Sequence, residues 1–119
     1  NSIATSVVFA GTAKVWQDLN GETFGSRDSH NVSGNTDNGT GDYTLSFTSS
    51  LANANYAVFG VGHDDSSGNN GYLYGLKSQS NAWRGGTYYT TSSARVTFGY
   101  AGAGNLADMK RVQVVIFGD

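Results

Sequence analysis

The stretch TDNGTGDYTLSF, Thr36 to Phe47, opens with polar turn formers and closes in strict alternation. Asn38 and Gly39 favour the left-handed backbone of a tight corner, Gly41 adds further freedom, and Asp42 can bond locally before a strand begins. From there the period is two: Tyr43, Leu45 and Phe47 share one face, and Asp42, Thr44, Ser46 and Thr48 the other. The pattern predicts a corner followed by a half-buried strand over Tyr43 to Thr48. A slip of one residue would turn all three apolar side chains to solvent, so the corner sets the register of the sheet.

Working outward, YAVFGVG (Tyr56 to Gly62) and VQVVIFGD (Val112 to Asp119) are apolar on nearly both faces. Such strands are central in a sheet, or covered by a second sheet or a second subunit. ARVTFGY (Ala94 to Tyr100) alternates, with Val96, Phe98 and Tyr100 on one side, and TYYTTSS before it reads as an aromatic and threonine strand. YLYGLK (Tyr72 to Lys77) adds another. Upstream, Ser6 to Ala10 and Ala13 to Leu19 are expected as strands, with a turn at Asn20 to Glu22. Thr23 to Gly34 is expected as a loop with a short strand around Val32, and AGAGNLADMKR is the one place for a helical turn. No repeat or linker divides the chain, so residues 1–119 are read as a single all-β domain, an antiparallel β-sandwich.

Seven basic and nine acidic residues give a net charge of −2 and no basic footprint for a phosphate backbone, so no nucleic acid partner is expected. The longest apolar runs fall far short of a membrane span, and membrane insertion is not expected either. The absence of cysteine removes disulfides and thiolate chemistry. Starting at Asn1 without an apolar leader, the sequence is expected to be a processed or recombinant fragment of something longer.

Candidate chemistry is sparse. His63, Asp64 and Asp65 are adjacent donors in a glycine-rich loop and are weak candidates for a cation, but their spacing fits neither an EF-hand nor a zinc pattern, and a solvated turn is the simpler reading. His30 beside Asp28, with Ser26 and Ser29 near, lacks a nucleophile elbow. Carboxylates for sugar hydrolysis must stand about 5 to 9 Å apart across a cleft, which the scattered acids do not by themselves select. No glycine-rich phosphate loop is present, and no catalytic residue or cofactor is expected. The sequons at Asn31 and Asn38 are read as polar turn residues. Recognition is the better prospect. Tyr72, Tyr74, Trp83, Tyr88 and Tyr89, flanked by Asn69, Asn70, Asn81, Lys77 and Arg84, make an inventory suited to a neutral or mildly charged sugar, flat rings covering a pyranose and polar groups meeting its hydroxyls. The same rings could instead fill a core or an interface.

The run from Arg27 to Gly60, RDSHNVSGNTDNGTGDYTLSFTSSLANANYAVFG, and the closing VQVVIFGD resemble the C-terminal β domain of tail-fibre and related virion structural proteins of tailed bacteriophages, marine and cyanobacterial ones especially. The NVS, the TDNGTGDYT corner, ANYAV and the closing strand carry the likeness, which runs roughly from Ala13 to Gly60 plus the last eight residues. Val15 to Thr23 departs from the family's usual first strand. The resemblance implies a homotrimeric fibre tip on the virion, without enzymatic residues, whose partners are other virion proteins and a host cell-surface polysaccharide or lipopolysaccharide. Two other functions stand beside it: a structural domain that never touches the receptor, and a polysaccharide depolymerase.

Overall fold

The computed structural model describes residues 2–63, 70–73, 88–100 and 106–118. Among the described residues a short helix, α1 (Thr5–Gly11), precedes eight strands: β1 (Val15–Asn20), β2 (Gly25–His30), β3 (Val32–Gly39), β4 (Asp42–Phe47), β5 (Ala57–His63), β6 (Asn70–Leu73), β7 (Ser93–Tyr100) and β8 (Arg111–Phe117). All pairings are antiparallel, in the order β2-β1-β8-β5-β6-β7-β4-β3. β7 makes two layers of this array by changing partner halfway along: Ser93 to Thr97 pair with β4, and Phe98 to Tyr100 pair with β6. The all-β sandwich expected from the sequence is the fold observed.

The core lies between β1 and β8 of one layer and β4 and β7 of the other. Val15 and Leu19 meet Val112, Val114 and Ile116 on the first side, and Tyr43, Leu45, Phe47, Ala94, Val96 and Phe98 fill the second. The alternation read from Tyr43, Leu45 and Phe47 is the observed one, all three being buried. β5 lies between β8 and β6, as its doubly apolar sequence predicts.

The quoted corner is clamped at Gly41. Its φ is +65°, and a Cβ there would come within 2.5 Å of the Phe98 carbonyl oxygen and 2.7 Å of the Ala107 backbone, so only glycine fits. Asp108 Oδ1 accepts from the Gly41 amide and from the Tyr43 hydroxyl, both at 2.7 Å, while the Gly21 carbonyl lies 3.3 Å from that hydroxyl. The Gly21 amide in turn donates to the Met109 carbonyl at 2.8 Å. One carboxylate and one phenol thus hold together the β1–β2 turn, the β3–β4 corner and the segment leading into β8. Phe24, at a φ of +59°, stacks on the Tyr43 ring at 6.0 Å, and that contact holds its left-handed backbone in place.

At the opposite edge the chain passes between layers at Asn31, φ +59°. Its side-chain amide donates to the carbonyls of Lys14 (3.2 Å) and Ser49 (3.1 Å), and its Oδ1 accepts from the Ser49 amide at 2.7 Å. Asn31 therefore works as a hinge pin between β2 and β3.

Several expectations need correction. Ser6 to Ala10 is helix rather than strand, because an apolar run without alternation carries no period to tell the two apart. Thr23 to Gly34 holds all of β2 and the start of β3. These are edge strands, largely exposed on both sides, so no hydrophobic alternation betrays them. β3 runs on through Gly39, placing the turn at Thr40 and Gly41, two residues later than Asn38 and Gly39 suggest. Tyr88 to Ser92 forms a tight connection, closed by the Thr90 hydroxyl accepting from the amides of Ser92 and Ser93, rather than a strand. Residues 106–110 contain no helix, and 101–105 lie outside the described residues.

Replacing Tyr43 with Phe removes a bond to a charged acceptor and should cost about 1.5 to 3 kcal/mol, read from the urea midpoint at unchanged slope. Alkali gives a second test. Burial pushes the Tyr56 phenol up to about 12, and Tyr43 shifts the same way through burial and Asp108. Unfolded tyrosine ionises near pH 10. The contribution of Tyr56 is therefore complete below about pH 10 and is lost as pH rises from there toward about 12. Urea midpoints measured across that interval should fall, and Tyr56→Phe should flatten the decline.

Candidate functional site

The register sorts the outward side chains. On β8, Val112, Val114 and Ile116 face the core, which turns Arg111, Gln113, Val115 and Phe117 outward. Directly opposed residues in antiparallel strands share a face. Trp16 and Phe59 therefore flank Val115, and Asp18 and Val61 flank Gln113, in two rows crossing β1, β8 and β5. The result is an apolar surface at the middle of the larger layer: Trp16 is 37% exposed, Phe59 58% and Val61 48%. Phe59 and Phe117 meet edge to face at 6.4 Å. Between Trp16, Phe59, Val61, Gln113 and Val115 lies an open depression of about 520 Å³.

β1 carries this face on Trp16 and Asp18. Val15, Gln17 and Leu19 point inward, so that a glutamine, 3% exposed and with its Nε2 unpartnered, is buried while the neighbouring tryptophan looks out. Shifting the strand by one residue would hide Trp16 but expel Val15 and Leu19 from the core. An orphaned buried amide costs about 1 to 3 kcal/mol, so the arrangement holds because two core anchors outweigh it. At the rim, Asp18 sits between Arg111 at 2.8 Å and Arg27 at 3.5 Å, and these charges face one another.

The outer side of the three-stranded layer is the opposite in character. Thr44 lies across from Arg95 and Ser46 from Ser93. Arg95 donates twice to the Asp42 carboxylate, at 2.7 and 2.8 Å, and this bond raises the guanidinium pKa further. The Tyr88 ring lies 5.5 Å from the Arg95 guanidinium carbon, and Asn38 donates to the Thr44 hydroxyl at 2.8 Å.

The residues singled out from the sequence scatter. Tyr88 is on this polar side. Tyr89 packs on the Tyr56 ring at 5.3 Å and is half-buried, with its phenol pKa raised by burial. Tyr72 sits on β6 in register with Val61. Tyr74, Asn81, Trp83, Arg84, Asp64 and Asp65 lie outside the described residues. His63 ends β5 opposite Arg111. Among the described residues no three His, Asp or Glu side chains gather as a metal site. Of the sequons, Asn31 has its amide engaged in the hinge, whereas Asn38 is exposed near the corner. Sequence reasoning missed Trp16 as a surface residue. The signal for the face was nevertheless present in the doubly apolar β5 and β8.

Comparison with protein-family models, with curated proteins and with solved structures finds no match to this chain.

Since Phe59 and Val61 are half exposed, Phe59→Ser and Val61→Ser should change the stability of the dilute domain by no more than about 0.5 kcal/mol. Val114→Ser, on β8 across from Gly60 but facing inward, should cost about 2 kcal/mol or more. Urea unfolding at low protein concentration checks both.

Proposed function

We propose that this chain is a phage virion structural domain, the tip of a tail fibre, in which copies associate as a homotrimer and present a host-binding surface. The observation that carries the reading is the apolar outer face of Trp16, Phe59, Val61 and Val115. Contiguous apolar surface of this kind marks a protein contact more often than a free surface. The fold keeps Trp16 there even though Gln17 is buried in exchange. The likeness of the TDNGTGDYT corner and the closing VQVVIFGD to phage fibre domains supplies the virion setting. Host contact, a neutral polysaccharide or lipopolysaccharide, falls in this reading to Tyr88 together with Trp83, Arg84, Tyr72, Tyr74, Tyr89 and Asn81. Weak sites would gain strength by repetition around the assembly.

A second reading, a structural virion domain without receptor contact, is favoured by the engagement of Tyr88 and Tyr89: Tyr89 is committed to Tyr56 and Tyr88 to Arg95.

Light scattering from micromolar to millimolar concentration should show a trimer that Phe59→Asp converts to a folded monomer; a wild-type monomer throughout overturns the proposal. Alanine at Trp83, Arg84 or Tyr88 should reduce virion adsorption to host cells while leaving the trimer intact. Unchanged adsorption selects the second reading.

A further inference from the structure

We infer that α1 of one copy seats on the outer face of β1, β8 and β5 of a neighbouring copy, so that copies exchange their α1 arms head to tail. The inference rests on the self-association proposed above and names the two surfaces that meet.

Among the described residues, little holds α1 to its own chain. It spans seven residues, too few to be stable alone in water, and its sequence TSVVFAG is rich in β-branched residues and ends in glycine. Ala4 at its start supplies no side-chain cap, and no residue of α1 is buried. Ile3, Val7, Val8 and Phe9 are all at least half exposed. Val8 and Phe9 line a cleft of about 890 Å³ against Asn31, Ser49 and Leu51, so the helix stands off its own domain instead of packing on it. What holds it is the Lys14 ammonium, which donates to the carbonyls of Phe9 and Thr12 and lies 4.2 Å from the Phe9 ring centroid. A cation at a helix C-terminus is favourable there. The helix is thus fastened at its base with its apolar side chains unspent.

The outer face is the complementary surface. Seven helical residues rise about 10 Å. Trp16 to Phe59 spans two strand spacings, also about 10 Å. Charge agrees as well: α1 carries no ionisable side chain, and Asp18 at the rim of the face is already paired by two arginines. A neutral apolar arm therefore meets a neutral apolar floor, and a charged peptide would find no free counter-charge from that carboxylate. None of the α1 residues lines the depression of its own chain. Because arm and floor are different patches, each copy donates one and receives one. Such an interface is heterologous and closes into a ring when the rotation permits.

The natural lack of cysteine makes the test clean. Chains carrying Val8→Cys are mixed with chains carrying Phe59→Cys and oxidised mildly. Both positions are exposed, so both variants should keep the wild-type circular dichroism. The expected result is a disulfide between the two kinds of chain, with neither variant linking to itself. Self-linking of Val8→Cys, meaning helices bundled together, or of Phe59→Cys, meaning faces pressed together, overturns the arm exchange while leaving self-association standing. A monomer with no links at any concentration overturns both. In a parallel measurement, Val8→Asp with Phe9→Asp should raise the dissociation constant of the assembly about tenfold or more. An unchanged constant also overturns the inference.

Discussion

The hydroxyl of Tyr43 and the carboxylate of Asp108 are the contact on which the remaining architecture turns. Three separate excursions of the chain end within reach of that pair: the turn at Gly21, the corner at Gly41 and the approach to β8 at Met109. A hydroxyl has one proton to give, and the shorter bond shows it going to Asp108, with the Gly21 carbonyl a weaker second neighbour. Because Gly41 is pressed against the backbones of Phe98 and Ala107, the corner has no room for a side chain. The register of β4 against β7 follows from that, and so does the depth at which Tyr43, Leu45 and Phe47 enter the core. Asn31 performs the matching task at the far edge, where the chain leaves one layer for the other.

With the interior fixed in this way, the two outward surfaces are left with different chemistry. The three-stranded layer shows hydroxyls, an amide and an arginine locked to an aspartate, all compatible with water. The larger layer shows tryptophan, phenylalanine and valine in adjacent rows. This asymmetry comes from the alternation itself. Once Val15, Leu19, Val112 and Val114 are committed inward, whatever stands between them must look out, and here much of it is apolar. The burial of Gln17 beside an exposed Trp16 is the clearest trace of that constraint. A surface so composed, together with a helix whose apolar side chains are exposed, is what gives the assembly reading its physical content.

The parts legible in the sequence are those whose cause is local. Tyr43 to Phe47 and Ala94 to Tyr100 declare themselves by period two and by turn residues beside them, Val112 to Phe117 by a short run apolar on nearly both faces, and the all-β class follows from their number. The edge strands β2 and β3 are not legible in this way, since SRDSH and NVSGNTDNG bury little on either side and need no alternation. α1 shares its apolar composition with a strand, and only its surroundings make it a helix. The proposed sugar-binding aromatics were grouped by nearness in sequence, whereas the fold gives Tyr88 to an arginine on one surface and Tyr89 to the core.

By itself the sequence determined that the chain would form short pleated strands, where the decisive corner would fall to within a residue or two, and that two strands would be apolar on both sides. Only the tertiary structure decided that β7 joins the layers, that Trp16 looks out while Gln17 is buried, and which side of β5 and β8 stays uncovered. The physical reason is one of range. Alternation and turn preference act between neighbours along the chain, but inside and outside are defined by partners brought together from distant segments, and a residue's phase is chosen by whichever contacts the whole sheet gains most from burying.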